Sequence, residues 1–166
     1  LFFQQNKREH PILLTGFNRR FSPHMRAIKE IIAGRTSPMI ISYTMNAGYK
    51  PLENWVHSSE GGGRNIGEAC HIYDLFTFLT DAEAVEIKAF SISPQTGYYS
   101  PRDNFIANIT FADGSIASLT YTSLGNNKYP KEVLDIYTDG KIVHLADFKT
   151  VDYYGISNKK NRRSKR

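Results

Sequence analysis

Glu68, His71 and Asp74 stand three residues apart, directly behind the run Gly61-Gly62-Gly63-Arg64. A histidine titrates close to neutral pH, so it can take or give a proton there. A carboxylate three residues away on a helix is near enough to orient it. Glycines lack a Cβ and tolerate positive φ, so they let backbone come close to a ligand. The first turn of a helix behind them leaves N–H groups unpaired, which makes an anion site. Arg64 adds a planar cation suited to a carboxylate or phosphate. The same residues also fit a packing histidine beside a flexible glycine loop, and residue types alone leave both readings open. The glycines are spaced one residue too long for G-x-G-x-x-G, and no strand runs into them. Glu68-x-x-His71 is half of a di-iron carboxylate pattern, but its second copy and partner helices are absent, so no metal is expected.

A helix must carry this group. Gly67, His71, Asp74 and Phe78 share a face at helical spacing, and Ile72, Leu75, Phe76 and Leu79 form an apolar stripe. His71 lies at the edge of the stripe, where a side chain can look into a cleft. Ahead of it, the stretch from Asn46 and Tyr49 through Trp55 and His57 is polar yet aromatic, as a pocket wall is. Loops of this length are often functional.

Elsewhere, residues 1–10 read as a partial helix or linker and 11–15 as a short strand. GFNRRF at 16–21 is a turn-like link with two arginines. Ser22 and Pro23 open a helix with Met25, Ile28 and Ile32 on its apolar face and Gly34 at its end; His24 is expected to be exposed. Strands are predicted at 38–45 and 84–92. One hairpin is predicted around Asp113-Gly114 and another around Asp139-Gly140, with a last strand at 147–153. Sequential hairpins imply an α+β domain: an open, mainly antiparallel sheet with helices on one face.

The 166 residues make one domain with a sizeable core. Six of the 21 basic residues fall in the last ten, which hold no acid, so the rest carries 15 basic and 16 acidic side chains. Basic character is therefore assigned to a solvated tail and not to a binding face. The lone cysteine, Cys70, excludes an internal disulfide and fits a reducing, cytoplasmic setting. No signal peptide or membrane-length apolar run is seen. The chain does not begin with Met and is expected to start inside a longer protein.

GFNRRFSP, YTMNAGY, W-V-H ahead of the glycines, GGGRNIGEACHIYDLFTFL and FADGSIASLTYTSLG together resemble the carboxyl-terminal half of Gfo/Idh/MocA family oxidoreductases, from about residue 11 to 153. The Gly-Glu-x-Cys-His variant resembles the branch of sugar and cell-surface polysaccharide biosynthesis, some members of which are fused to a zinc-type alcohol dehydrogenase domain. The resemblance implies a glyceraldehyde-3-phosphate dehydrogenase-like carboxyl-terminal fold. It divides the chain into 1–15, the end of a Rossmann domain and linker; 16–153, a substrate-binding and oligomerisation domain; and 154–166, a basic tail. The Gly-rich nucleotide loop and the Glu-Lys-Pro segment of the family are absent. The family motif Gly-Gly-x-x-x-Asp-x-x-x-His places its His on His71 and its Asp on Gly67, with Glu68 one residue later.

What the resemblance implies is the substrate-binding half of an NAD(P)-dependent oxidoreductase acting on a sugar or nucleotide-sugar hydroxyl or carbonyl. NAD or NADP would be bound mainly by the absent Rossmann domain, and the chain alone would be inactive. His71 would be the acid/base, Glu68 would orient it or hold a sugar hydroxyl, and Arg64, Asn46, Tyr49, Trp55 and His57 would bind substrate. Asp74 would be structural. The expected partners are the sugar ligand and further copies of the chain through the sheet, with no nucleic acid and no membrane. The alternative is a non-catalytic binding or oligomerisation module.

Overall fold

Alternating burial along short β-branched and aromatic runs builds a single sheet. The computed structural model describes residues 16–157 and the backbone of Arg162–Arg163. The expected linker and strand at 1–15 lie outside the described residues. The strands are β1 (Ile40–Asn46), β2 (Ala84–Ser91), β3 (Phe105–Phe111), β4 (Ile116–Thr122), β5 (Glu132–Thr138), β6 (Lys141–Ala146), β7 (Thr150–Tyr154) and the two-residue β8 (Arg162–Arg163). Their order is β2-β3-β4-β1-β5-β6-β7-β8. Both Asp-Gly hairpins form. At Asp139-Gly140 both residues take positive φ (48° and 71°), as a tight two-residue turn requires.

β1 inserts between the two hairpins, parallel to β4 and antiparallel to β5, with Tyr43 opposite Leu119 on one side and Leu134 on the other. All other neighbours are antiparallel. The last strand starts later than its composition suggests. Asp147 and Phe148 turn with positive φ (52° and 54°), and no glycine marks the turn. The basic tail is not wholly a loose end, since Arg162–Arg163 pair with Thr150–Val151.

Two helices cover one face. In α1 (Pro23–Ile32), the Ser22 hydroxyl caps the Met25 amide, and Met25, Ile28 and Ile32 are buried. His24 is half-buried rather than exposed. In α2 (Cys70–Thr80), the stripe Ile72, Leu75, Phe76 and Leu79 is fully buried against Ile41, Tyr43, Leu119 and Leu134. Arg35 donates to the Thr80 carbonyl (2.7 Å) and to Asp113 (2.5 Å), tying the ends of both helices to the β3–β4 turn. Among the described residues nothing covers the opposite sheet face: Ile40 is 53% exposed, with exposed Ile116 and Tyr137 as its register partners.

Phe76 touches nothing in the cleft described below and packs edge-on to Tyr43 at 6.2 Å between centroids. Phe76→Ala is expected to cost about 3–5 kcal/mol through lost burial and a residual cavity. The shift of the urea midpoint at constant slope checks this.

Candidate functional site

The glycine run is a backbone crossing. A Cβ on Gly61 would lie 2.4 Å from the Trp55 carbonyl oxygen and 2.6 Å from the Val56 Cα. Gly62 and Gly63 take positive φ, and their amides donate to the Ser58 and Val56 carbonyls (3.0 and 2.9 Å). The Gly61 amide reaches the Ser58 hydroxyl at 3.3 Å. The glycines were expected to let backbone come close to a ligand; instead their amides hold the Trp55 loop against the helix start. A dinucleotide phosphate has no cradle at these glycines.

The helix then opens with a π turn, Asn65–Ala69, closed by the Cys70 amide on the Asn65 carbonyl. Such wide turns are frequent at functional sites. Here the turn carries Arg64, Gly67, Glu68 and His71 together onto one wall of a cleft of about 530 Å³. Trp55, 69% exposed, and Lys50 stand on the loop side, and Arg19 and Lys131 close it from other elements.

His71 meets Phe17 edge-on at 5.5 Å. Its Nδ1 is buried with no hydrogen-bond partner, which leaves Nε2 as the nitrogen available to the cleft. Burial and the positive charge of Arg19 push the imidazole below its ordinary pKa, against weaker pulls from Asp74, Glu132 and Glu68. At neutral pH it is therefore a neutral ring able to accept a proton.

Glu68 does not hydrogen-bond His71. Its carboxylate accepts from Lys131 Nζ (2.7 Å), the Tyr121 hydroxyl (2.5 Å) and Arg64 Nη2 (3.2 Å). Burial alone would raise its pKa, but these hydrogen bonds and the Lys131 and Arg64 charges prevail and hold it at about 2. It is a permanent anion that positions cations, not a proton acceptor at neutral pH.

Arg64 is only 6% exposed and donates to the Gly48 and Ala47 carbonyls (2.7 and 2.8 Å), so much of its donor capacity is engaged inside the protein. His57 lies beneath the loop, its Nε2 3.5 Å from Asp103, and does not line this cleft. Asn46 and Tyr49 line a neighbouring cleft that shares Ala47 and Lys131 with the first. Asp74 is a structural anchor: Arg20 grips it with Nε (2.9 Å) and Nη2, pinning the 18–21 turn to α2.

Sequence reading missed Arg19, Lys50 and Lys131. Arg19 forms a fork with Glu132 (2.7 and 3.0 Å), which also accepts from the Tyr43 hydroxyl. The two arginines of GFNRRF were the only visible signal; nothing local marks Lys50 or Lys131. The view that basic character sits only in the tail is corrected here. The near-neutral body gathers Arg19, Lys50, Arg64 and Lys131 around one cleft. Among the described residues, no group of three or more His, Cys, Asp or Glu can hold a metal ion.

A family model described as the GFO/IDH/MocA C-terminal domain matches residues 25–143. The Bacillus subtilis (strain 168) protein named Uncharacterized oxidoreductase YrbE is 28% identical over 116 residues, covering 66% of this chain and 33% of its own. UDP-N-acetylglucosamine 3-dehydrogenase GnnA from Acidithiobacillus ferrooxidans superposes with a TM-score of 0.67 at 20% identity, over 95% of this chain and 48% of that one. The WlbA dehydrogenase from Bordetella pertussis, solved with NADH and UDP-GlcNAcA, gives 0.69 at 16% identity, over 89% of this chain and 48% of that one. The structural likeness shows the fold: an open mixed sheet with few helices. The chain spans about a third of YrbE and about half of each dehydrogenase.

The Glu68 network sets an acid limb. Its pKa is about 2 in the folded chain, against an unfolded value of 4.5. Its stabilisation is complete above the unfolded value and is lost as pH falls through the folded one, roughly 3–4 kcal/mol for the full shift and on the order of 2–3 kcal/mol once solvent screening of this partly exposed group is allowed for. Urea unfolding from pH 6 to pH 3 should therefore show a flatter acid limb for Glu68→Gln than for the parent chain.

Proposed function

This chain belongs to the GFO/IDH/MocA family of oxidoreductases, as a C-terminal domain, and we propose that it is the substrate-binding half of an NAD(P)-dependent enzyme that acts on a hydroxyl or carbonyl of a sugar or nucleotide sugar. The observation that carries this reading is the His71 ring, held neutral at the mouth of a cleft whose other walls are Trp55 and cations. When bound, the nicotinamide supplies the hydride acceptor or donor; its own site belongs to the part of the enzyme outside residues 16–153.

His71 Nε2 exchanges a proton with the reacting sugar oxygen, taking it as a carbinol becomes a carbonyl. Burial keeps the ring from holding that proton permanently. Trp55 offers a flat apolar face to the less polar side of a sugar ring. Lys131 and Arg64, fixed by Glu68, set the positive field of the cleft. Lys131 keeps donors free for substrate oxygens, since an ammonium has three. Glu68 acts through these two cations, and His57 through the loop it supports.

The bare sheet face with Ile40, Ile116 and Tyr137 supports a second reading alongside the first, oligomerisation of the chain through the sheet. No helix among the described residues is long and apolar enough to cross a membrane. The single cysteine, Cys70, fits a reducing, cytoplasmic setting.

In the full-length enzyme, His71→Ala should lower kcat roughly 10²–10⁴-fold, the range of general acid–base catalysis. The oxidation rate of the parent should rise with pH through an apparent pKa below 6.5 and then level off. This limb should vanish in the variant; if it persists, another group moves the proton. The purified 166-residue chain should show no NAD(P)-dependent turnover with any sugar, read as nicotinamide absorbance.

A further inference from the structure

We propose that the His71 cleft is one lobe of a two-lobed site whose complete ligand is a nucleoside diphosphate sugar. The sugar lies at His71, and the diphosphate lies beside Lys50 and Lys131, toward the junction that Ala47 and Lys131 form between the lobes. The nucleoside lies in the second lobe, beside Tyr49 and Tyr129. This rests on the sugar-site reading above and narrows it to one substrate class.

The two clefts, about 530 and 560 Å³, meet at Ala47 and Lys131, which line both. Each is large enough for a ring of its own, and a single monosaccharide leaves one of them unfilled. The charges are unequal in their partners. Arg19 is neutralised by Glu132, and Arg64 is held by two carbonyls and Glu68. Lys131 shares Glu68 with Arg64. Lys50 has no acidic partner among the described residues, yet it lines the His71 cleft. A neutral sugar leaves this cation unanswered, whereas a diphosphate between two rings meets it together with the remaining Lys131 donors.

The second lobe differs in chemistry. Its one cation is Lys131, set against the Asp147 carboxylate, which accepts the Glu132 amide; the rest of its lining offers tyrosines and carboxamides. Tyr49 is backed by Tyr98, stacked at 4.4 Å and 2°, so the ring is a fixed platform. Asn126 and Asn127 present amides beside it. Asn46, 8% exposed, anchors the lobe through its Nδ2 on the Asn126 carbonyl (2.8 Å) while its Oδ1 has no partner. Aromatic platform and neutral amides are what a base and ribose need, and the phosphates fall where the lysines are.

Calorimetric titration of this chain with UDP-glucose, GDP-mannose, glucose, glucuronate and maltose tests the assignment. At least one nucleotide sugar should bind tenfold or more tighter than glucose, and its affinity should fall as salt rises. Lys50→Met should remove most of that gain, and Tyr129→Ala should weaken the nucleotide sugar. Maltose binding as tightly as the nucleotide sugars would overturn the anionic junction; glucuronate doing so would overturn the second lobe. If glucose binds in a His71-dependent way and nucleotide sugars gain nothing, the sugar site stands and this proposal falls. If none of the five binds, both fall.

Discussion

One buried guanidinium ties the site together. Arg64 is almost fully removed from water, and a charge in that position is tolerable only when its donors are met. The end of β1 meets them with the Ala47 and Gly48 carbonyls, and the π turn meets them with Glu68. Asp103, 2% exposed, lies 3.9 Å away, and the Tyr121 ring lies 5.4 Å below. Four segments distant in sequence therefore share one cation, and two of them, through Ala47 and Glu68, line the cleft itself. Loss of any one partner would leave part of its donor capacity buried and unmet, which couples these segments to one another.

The backbone route to Arg64 explains the glycines. The chain must leave the Trp55–His57 turn, cross back over Trp55 and Val56, and begin a helix within a few residues. Only a residue without a Cβ passes Trp55 at that separation, and the two positive-φ glycines then redirect the chain. The widened turn that follows alters which residues share a face. In a regular helix Glu68 would turn about 100° away from Gly67. Here Gly67, Glu68 and His71 all reach the cleft. The carboxylate at 68 stands in the site, but it is held by Lys131 and Tyr121 rather than by the histidine.

Features set by neighbours along the chain are legible in the residues themselves. The Ser22 cap, the α2 stripe, both Asp-Gly hairpins and the placement of His71 at a cleft edge all follow from spacing of a few residues. Features set by distant pairing are not legible in this way. β1 lies between β4 and β5 because its two faces match theirs, and no local pattern announces a parallel neighbour so far along the chain. The turn at Asp147-Phe148 carries no glycine because Asp147 takes the Glu132 amide with its own carboxylate (3.0 Å), an interaction across strands. Lys50 and Lys131 follow the same rule: each sits beside a proline in an irregular segment, and only folding brings them to one cavity.

Net charge is the quantity that misleads most here. Counting side chains leaves the body close to neutral, which argues against a basic binding face when charge is taken as spread evenly. The structure instead separates the charges by depth and partner. Asp74, Glu132 and Asp113 are taken up by arginines at the seams between elements. Asp139 accepts from the amides of Thr36 and Ser37 and does not line the cleft. Apart from Glu68, which lies in the cleft beside Arg19, Lys50, Arg64 and Lys131, these acids sit at structural seams, so cations outnumber anions in the cleft that also holds a neutral histidine. A low-dielectric wall then concentrates their field on whatever enters. The body needs no net charge to present a positive site; it needs only to place most of its acids elsewhere.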